Sequence, residues 1–190
     1  HVALDPKSGD IYISDGYGNS AVHKYSPDGK YLFSWGTPGT DPGEFNLPHN
    51  IATDKDGFVY VADRENHRIQ IFDSSGAFQD QIVNMHRPCA IYISKDQYLY
   101  SGELGFGMPV TQKTPNIGPR ISIYNTKGEI EARIGDQRSG IEGRSFFAPH
   151  GIAVDSQGDL YVAEVANTQF SQFGKPDPDI RSIQKFMRSE

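Results

Sequence analysis

The chain has 190 residues, enough for one domain with a real core, and 36% of them are apolar against 22% charged. Its 20 glycines and 12 prolines suit a turn-rich β protein and argue against a helical bundle. A formal charge of −6 with no basic block excludes nucleic acid as the expected partner, and no apolar run approaches the roughly 20 residues of a membrane helix.

In chain order, HVALD is a short strand and Pro6 to Asp10 a turn. IYIS, AVHKY and YLFSW follow as strands, separated by the turns DGYGN and SPDGK. Alternation broken by turn signals marks an antiparallel meander. The order then repeats as NIATD, FVYVA, RIQIF and FQDQIV, and again as CAIYIS, YLYSG, RISIY and IEARIG. A last round has GIAVD, DLYVAEV and IRSIQKFMR, one strand short. The units fall at about 1–47, 48–84, 85–147 and 148–190. Four-stranded units in tandem predict an all-β fold, a β-propeller, with four blades here. The incomplete last unit fits a longer propeller whose N-terminal part lies outside this chain. Between Tyr100 and Ile121 a Gly/Pro-rich segment breaks the period. Residues 102–119 are expected to cover the channel mouth, or to be a passive insertion. QFSQFGKPDPD is a second enlarged loop at the matching place in the last unit.

Residues 48–62 and 149–163 both fit P-H-x-I-A-x-D-x-x-G-x-x-Y-V-A without a gap. First strands line a propeller's channel, so equivalent positions form a ring. Aligning the units puts His49, Cys89 and His150 on one such ring. Alternate blades of a six-bladed propeller are about 120° apart. A third histidine outside this chain would then complete a three-His site, a catalytic zinc arrangement. The alternative is that Pro-His marks a strand start and its ring merely packs in the channel. Cys89 reads either as a thiolate ligand or as a small buried channel residue, and as the single cysteine it excludes an intrachain disulfide. The turn after each second strand carries Asp15, Asp63, Glu103 and Glu164, acids that satisfy turn amides or face the pocket. Tyr17 and Arg64 stand in the same turns, which require neither type. A tyrosine at a channel mouth can act as a general base, and an arginine can hold a carboxylate. His23, His67 and His86 lack a partner at metal spacing and read as structural.

VADRENHRIQIF is close to the consensus of the NHL repeat. DGYGN followed by LPHNIA, VADRENHRIQ and APHGIA resembles the peptidyl-α-hydroxyglycine α-amidating lyase, over the whole chain. That family is a six-bladed propeller that cleaves an α-hydroxyglycine-extended peptide into a peptide amide and glyoxylate. The resemblance implies a peptide or small-molecule substrate and a zinc ion held in part by His49 and His150. It implies Tyr17 as catalytic base and Arg64 as substrate anchor, with a third ligand and a second arginine upstream. It also implies a structural calcium ion, although Gly151 stands where the family has Asp after its last Pro-His. The animal enzymes' disulfide cysteines are absent, with Gly18 in the first of those places. A non-catalytic NHL propeller that binds a protein or ligand is the competing expectation.

Overall fold

A computed structural model describes residues 1–105, 109–111, 114–125, 127–135, 139–140, 142–171 and 179–188. Strands β1 (Val2–Leu4), β2 (Ile11–Asp15), β3 (Ala21–Tyr25) and β4 (Tyr31–Trp35) form one antiparallel meander. Strands β5 (Pro48–Thr53), β6 (Val59–Asp63), β7 (Arg68–Phe72) and β8 (Phe78–Ile82) form the second. Strands β9 (Pro88–Ile93), β10 (Leu99–Glu103), β11 (Arg120–Tyr124) and β12 (Ile130–Ile134) form the third. Strands β13 (Pro149–Val154), β14 (Leu160–Glu164) and β15 (Ile183–Phe186) form the last, three-stranded among the described residues. A short helix α1 (Ala166–Ser171) follows β14, where the sequence suggests only loop. These four sheets are the blades of a β-propeller.

The repeated D-x-x-G-x-x-Y has a local cause. In the β5–β6 turn, Asp54 Oδ1 accepts the amides of Asp56 and Phe58, at 2.8 and 2.9 Å. Gly57 adopts φ +88°, which a side chain would strain. The Tyr60 hydroxyl closes the turn on Asp54 Oδ2 at 3.2 Å. Asp155, Gly158 and Tyr161 repeat the arrangement in the last blade, with the same tyrosine–aspartate distance of 3.2 Å. The recurring polar residues thus set the turn, and the apolar ones between them set the packing.

Blades pack face to face. Tyr12 and Val22 of the first blade meet Ile51, Val59, Val61 and Phe72 of the second. Ile69 and Ile82 of the second meet Ile91, Leu99 and Tyr124 of the third. Ile121 of the third meets Leu160 and Val162 of the fourth, with Phe146 between them. Each fully buried side chain of this size contributes about 1.5–3 kcal/mol, so the interfaces, more than any single sheet, hold the arc together. The first strands pack in sequence, β1 on β5, β5 on β9 and β9 on β13. They line a cavity of about 320 Å³ whose walls include Asn50, Ile91, Tyr92 and His150.

Candidate metal and catalytic site

Three first strands carry the same irregularity at the same place. Pro48 pairs with Asp63 and Asn50 with Ala62, which leaves His49 as the extra residue of a bulge. Pro149 pairs with Glu164 and Gly151 with Ala163, which leaves His150. Pro88 pairs with Glu103 and Ala90 with Gly102, which leaves Cys89. A bulge re-aims one side chain out of the alternation of its strand. Here it turns three donors toward one another. The ligating atoms of His49, Cys89 and His150 all lie within 4.8 Å of one another. The two imidazoles stand edge to face at 4.8 Å between centroids.

The tautomer of His49 follows from its contacts. Its Nδ1 lies 2.8 Å from the Cys89 carbonyl, which can only accept, so Nδ1 carries the proton. Nε2 keeps its lone pair, and Cys89 Sγ lies beside the ring, 3.3 Å from Nδ1 and 3.6 Å from Nε2. This is the supporting contact that usually orients a metal-binding imidazole. Burial pulls the His49 pKa down to about 4, and the Arg64 and His150 charges push the same way. Burial and Arg64 also lower His150. Both rings are therefore neutral and able to donate at physiological pH. Burial pushes the Cys89 thiol up to about 11. Two neutral imidazoles and a sulfur at this spacing fit a zinc ion by donor type and by number.

Tyr17 and Arg64 arrive from two different blades. The turn after β2 comes so close to β5 that a Cβ on Gly16 would lie 2.4 Å from the Pro48 carbonyl oxygen. Only glycine allows that approach, and it sets the Tyr17 ring against His49, edge to face at 5.7 Å. Arg64 opens a single 3₁₀ turn, Arg64–Asn66, whose amides reach back to the link before Pro48. The Arg64 amide donates to the Leu47 carbonyl and the Glu65 amide to that of Asn46. Arg64 Nη1 then donates to the Tyr17 hydroxyl at 3.2 Å, and Nε to Glu65 at 2.8 Å. Tyr17 itself remains 78% exposed, so the pair stands at the open rim of the channel.

The acids behave differently from a pocket lining. Asp63 is fully buried and accepts from the Asn46 amide, Asn66, Arg68 and Gln70. Glu164 accepts the Phe147 and Ala148 amides and Gln184. Glu103 is held the same way by the His86 amide, Arg120 and Ser122. Asp63, Glu103 and Glu164 thus clamp the second, third and fourth blades each to the link that enters it. Asp15 is bound to Asn19 at 2.7 Å and faces His23 at 3.2 Å, in its own blade. His23 also meets Ser34 at 2.6 Å. His67 and His86, separate in sequence, stack at 4.6 Å. Glu65 and Arg87 are functional neighbours that sequence reasoning missed: Arg87 Nη2 donates to Glu65 at 2.9 Å and so backs Arg64. Of the segment 102–119, residues 106–108 and 112–113 lie outside the described residues, and so does 172–178 of the second loop.

The fold and the bulged donors define the class, and comparison with known proteins refines it. Residues 45–72 and 148–173 match the NHL repeat. The chain is an NHL-repeat β-propeller. It is related to the peptidylglycine α-amidating monooxygenases: the mouse protein is 42% identical over 199 residues, spanning 97% of this chain and 19% of its own length. Human NHL repeat-containing protein 3 is 32% identical over 177 residues, 87% of this chain and 47% of its own. Among solved structures, Kuenenia stuttgartiensis hydrazine synthase superposes with a TM-score of 0.64 at 18% identity, over 86% of this chain and 41% of that one, a likeness of fold. The chain thus spans about a fifth of the amidating monooxygenase and about half of the human relative.

Proposed function

We propose that the rim of the channel is a zinc-dependent carbon–nitrogen lyase site acting on an α-hydroxyglycine-type carbinolamide. The observation that carries this reading is the convergence of Tyr17, Arg64 and the two bulged histidines, from three blades, on one spot. His49 and His150 would hold the zinc ion. When bound, such an ion supplies a Lewis acid that acidifies a hydroxyl group next to it. Arg64 has donors left after Tyr17 and Glu65 are satisfied, and these suit a substrate carboxylate. Its guanidinium also holds the Tyr17 oxygen in place, beside the ring of His49. Acting as its phenolate, with the charge held by Arg64, Tyr17 takes the proton of the substrate hydroxyl and then hands it to the departing nitrogen. The oxygen electron pair then forms a carbonyl as the C–N bond breaks, and the nitrogen regains a proton to leave as an amide. The products are a peptide amide and glyoxylate.

The test is glyoxylate release from an α-hydroxyglycine peptide by the zinc-loaded chain and by Tyr17→Phe. Loss of a general base typically costs about 10²- to 10⁴-fold in rate, with little change in packing. Equal turnover in Tyr17→Phe removes Tyr17 from the mechanism. No glyoxylate from the zinc-loaded parent would leave a metal-binding propeller that serves as a scaffold.

A further inference from the structure

We infer that Leu104 and Val165 form the subsite for the peptide part of the substrate, and that they favour an apolar residue next to the α-hydroxyglycine. The inference rests on the lyase reading above and deepens it. Its basis is an equivalence of backbone position. Arg64, Leu104 and Val165 each follow directly on an acid that clamps its blade, Asp63, Glu103 or Glu164. The amide of each donates to the carbonyl just before a bulged strand start. Arg64 reaches Leu47 at 3.2 Å, Leu104 reaches Arg87 at 3.1 Å and Val165 reaches Ala148 at 3.1 Å. The three residues therefore hold one rim position in the second, third and fourth blades. In the second blade that position places the Arg64 charge near His49 and His150. In the first blade Gly16 follows Asp15 and offers no side chain.

The channel mouth is thus two-sided. Tyr17, Arg64, Glu65 and Arg87 gather polar groups on one side. Over the third and fourth blades the same rim position is apolar. Leu104 is half-buried and Val165 is 37% exposed. Val165 stands on a fixed base, because the next residue, Ala166, packs with Phe147 and Ile180 in a buried cluster. Covering such a side chain with an apolar one removes surface from water, which is favourable in proportion to the area covered. The geometry of the substrate points the same way. Its carbinolamide carbon is tetrahedral and carries the hydroxyl, the carboxylate and the amide nitrogen. With the hydroxyl at the histidine pair and the carboxylate on Arg64, the nitrogen and the peptide beyond it leave on a third bond, away from Arg64. Among the described residues, Leu104 and Val165 are what this rim position offers there. A charged side chain placed against them loses water and gains no partner.

Glyoxylate release from three α-hydroxyglycine peptides, with Val, Ser or Lys as the preceding residue, tests the subsite. The zinc-loaded chain should turn over the Val peptide with a kcat/KM about tenfold above the other two, the low end for an apolar pocket because this one is partly open. The gain should lie in KM, since the contact is the same before and during bond breaking. Val165→Ser and Leu104→Ser should each narrow the ratio, and Val165→Asp should raise the Lys peptide relative to the Val peptide. A purely structural role would slow all three peptides alike, whereas loss of a subsite changes their ratio. Equal kcat/KM for the three peptides in the parent, or a ratio that both serine variants leave unchanged, overturns the subsite and leaves the lyase reading standing. No glyoxylate from any of the peptides overturns both.

Discussion

Arg64 shows how one side chain is fixed by its neighbours. Nε is held by Glu65, which is itself held by Arg87, and Nη1 reaches the Tyr17 hydroxyl. The guanidinium also lies 5.7 Å from the centre of the Tyr17 ring. A lysine keeps the charge but cannot span Glu65, Tyr17 and a carboxylate at once, because its ammonium lacks the planar fork. Arg64→Lys should therefore raise KM for the α-hydroxyglycine peptide about tenfold or more, with a smaller change in kcat. Steady-state glyoxylate release measures both, and an unchanged KM would show that Arg64 does not touch substrate. The identity of Arg64 and Tyr17 as candidates is legible in the sequence, since a turn needs neither. Glu65 and Arg87 leave no such trace: their role arises only when the third blade packs beside the second.

Among elements, the turn after β2 is the one on which the site depends. It lies against Pro48 only because residue 16 has no side chain. A Cβ there would meet the Pro48 carbonyl carbon at 2.9 Å and its oxygen at 2.4 Å, both backbone atoms that cannot swing aside. Gly16→Ala should cost about 1–3 kcal/mol of stability and displace Tyr17 from His49, with loss of turnover. Gly18→Ala, whose Cβ would meet only Asp15 Oδ1 at 3.5 Å, is the control and should be nearly neutral. Thermal unfolding and the glyoxylate assay compare the two, and equal behaviour would refute the close approach as the cause. The strands themselves are legible in the sequence because period-two alternation and D-x-x-G turns state them directly. Helix α1 is not, because six residues of ANTQFS carry too little helical periodicity. The bulges at His49, Cys89 and His150 are not either, since a gap-free repeat shows that positions match but not that a ladder skips a residue. For the same reason the sequence leaves Asp63 and Glu164 either satisfying turn amides or facing the pocket: an acid at the end of a strand can point either way. The links packed against these two strands decide the direction.

For the whole molecule, the histidines tie folding to pH. His49, His86 and His150 all sit below their ordinary value, in each case first because burial disfavours the charged ring. Unfolded, each returns to about 6.5. Between about pH 6.5 and the pKa of His49 at about 4, the unfolded chain thus binds more protons than the folded one. Stability must then fall as pH falls through that window. His49 alone sets an upper limit of about 3 kcal/mol, less what solvent screening removes at a half-buried ring. Glu65 acts in the same direction lower down: Arg87 and Arg64 outweigh its burial and keep its pKa low, so its contribution is lost as the carboxylate protonates. The interface tyrosines Tyr12, Tyr60 and Tyr124 are pushed up by burial and stay neutral through this window, while Asp63, raised first by its burial, gives an opposing slope only where its own carboxylate titrates. In buffer with a chelator to keep metal out, the urea midpoint should drop between about pH 7.5 and about pH 4.5. The same experiment on His49→Gln should show a shallower drop, because the variant has no proton to take up at that position. A midpoint that holds or rises toward acid would mean that the rings are solvated, and that the bulges do not bury their donors in the channel.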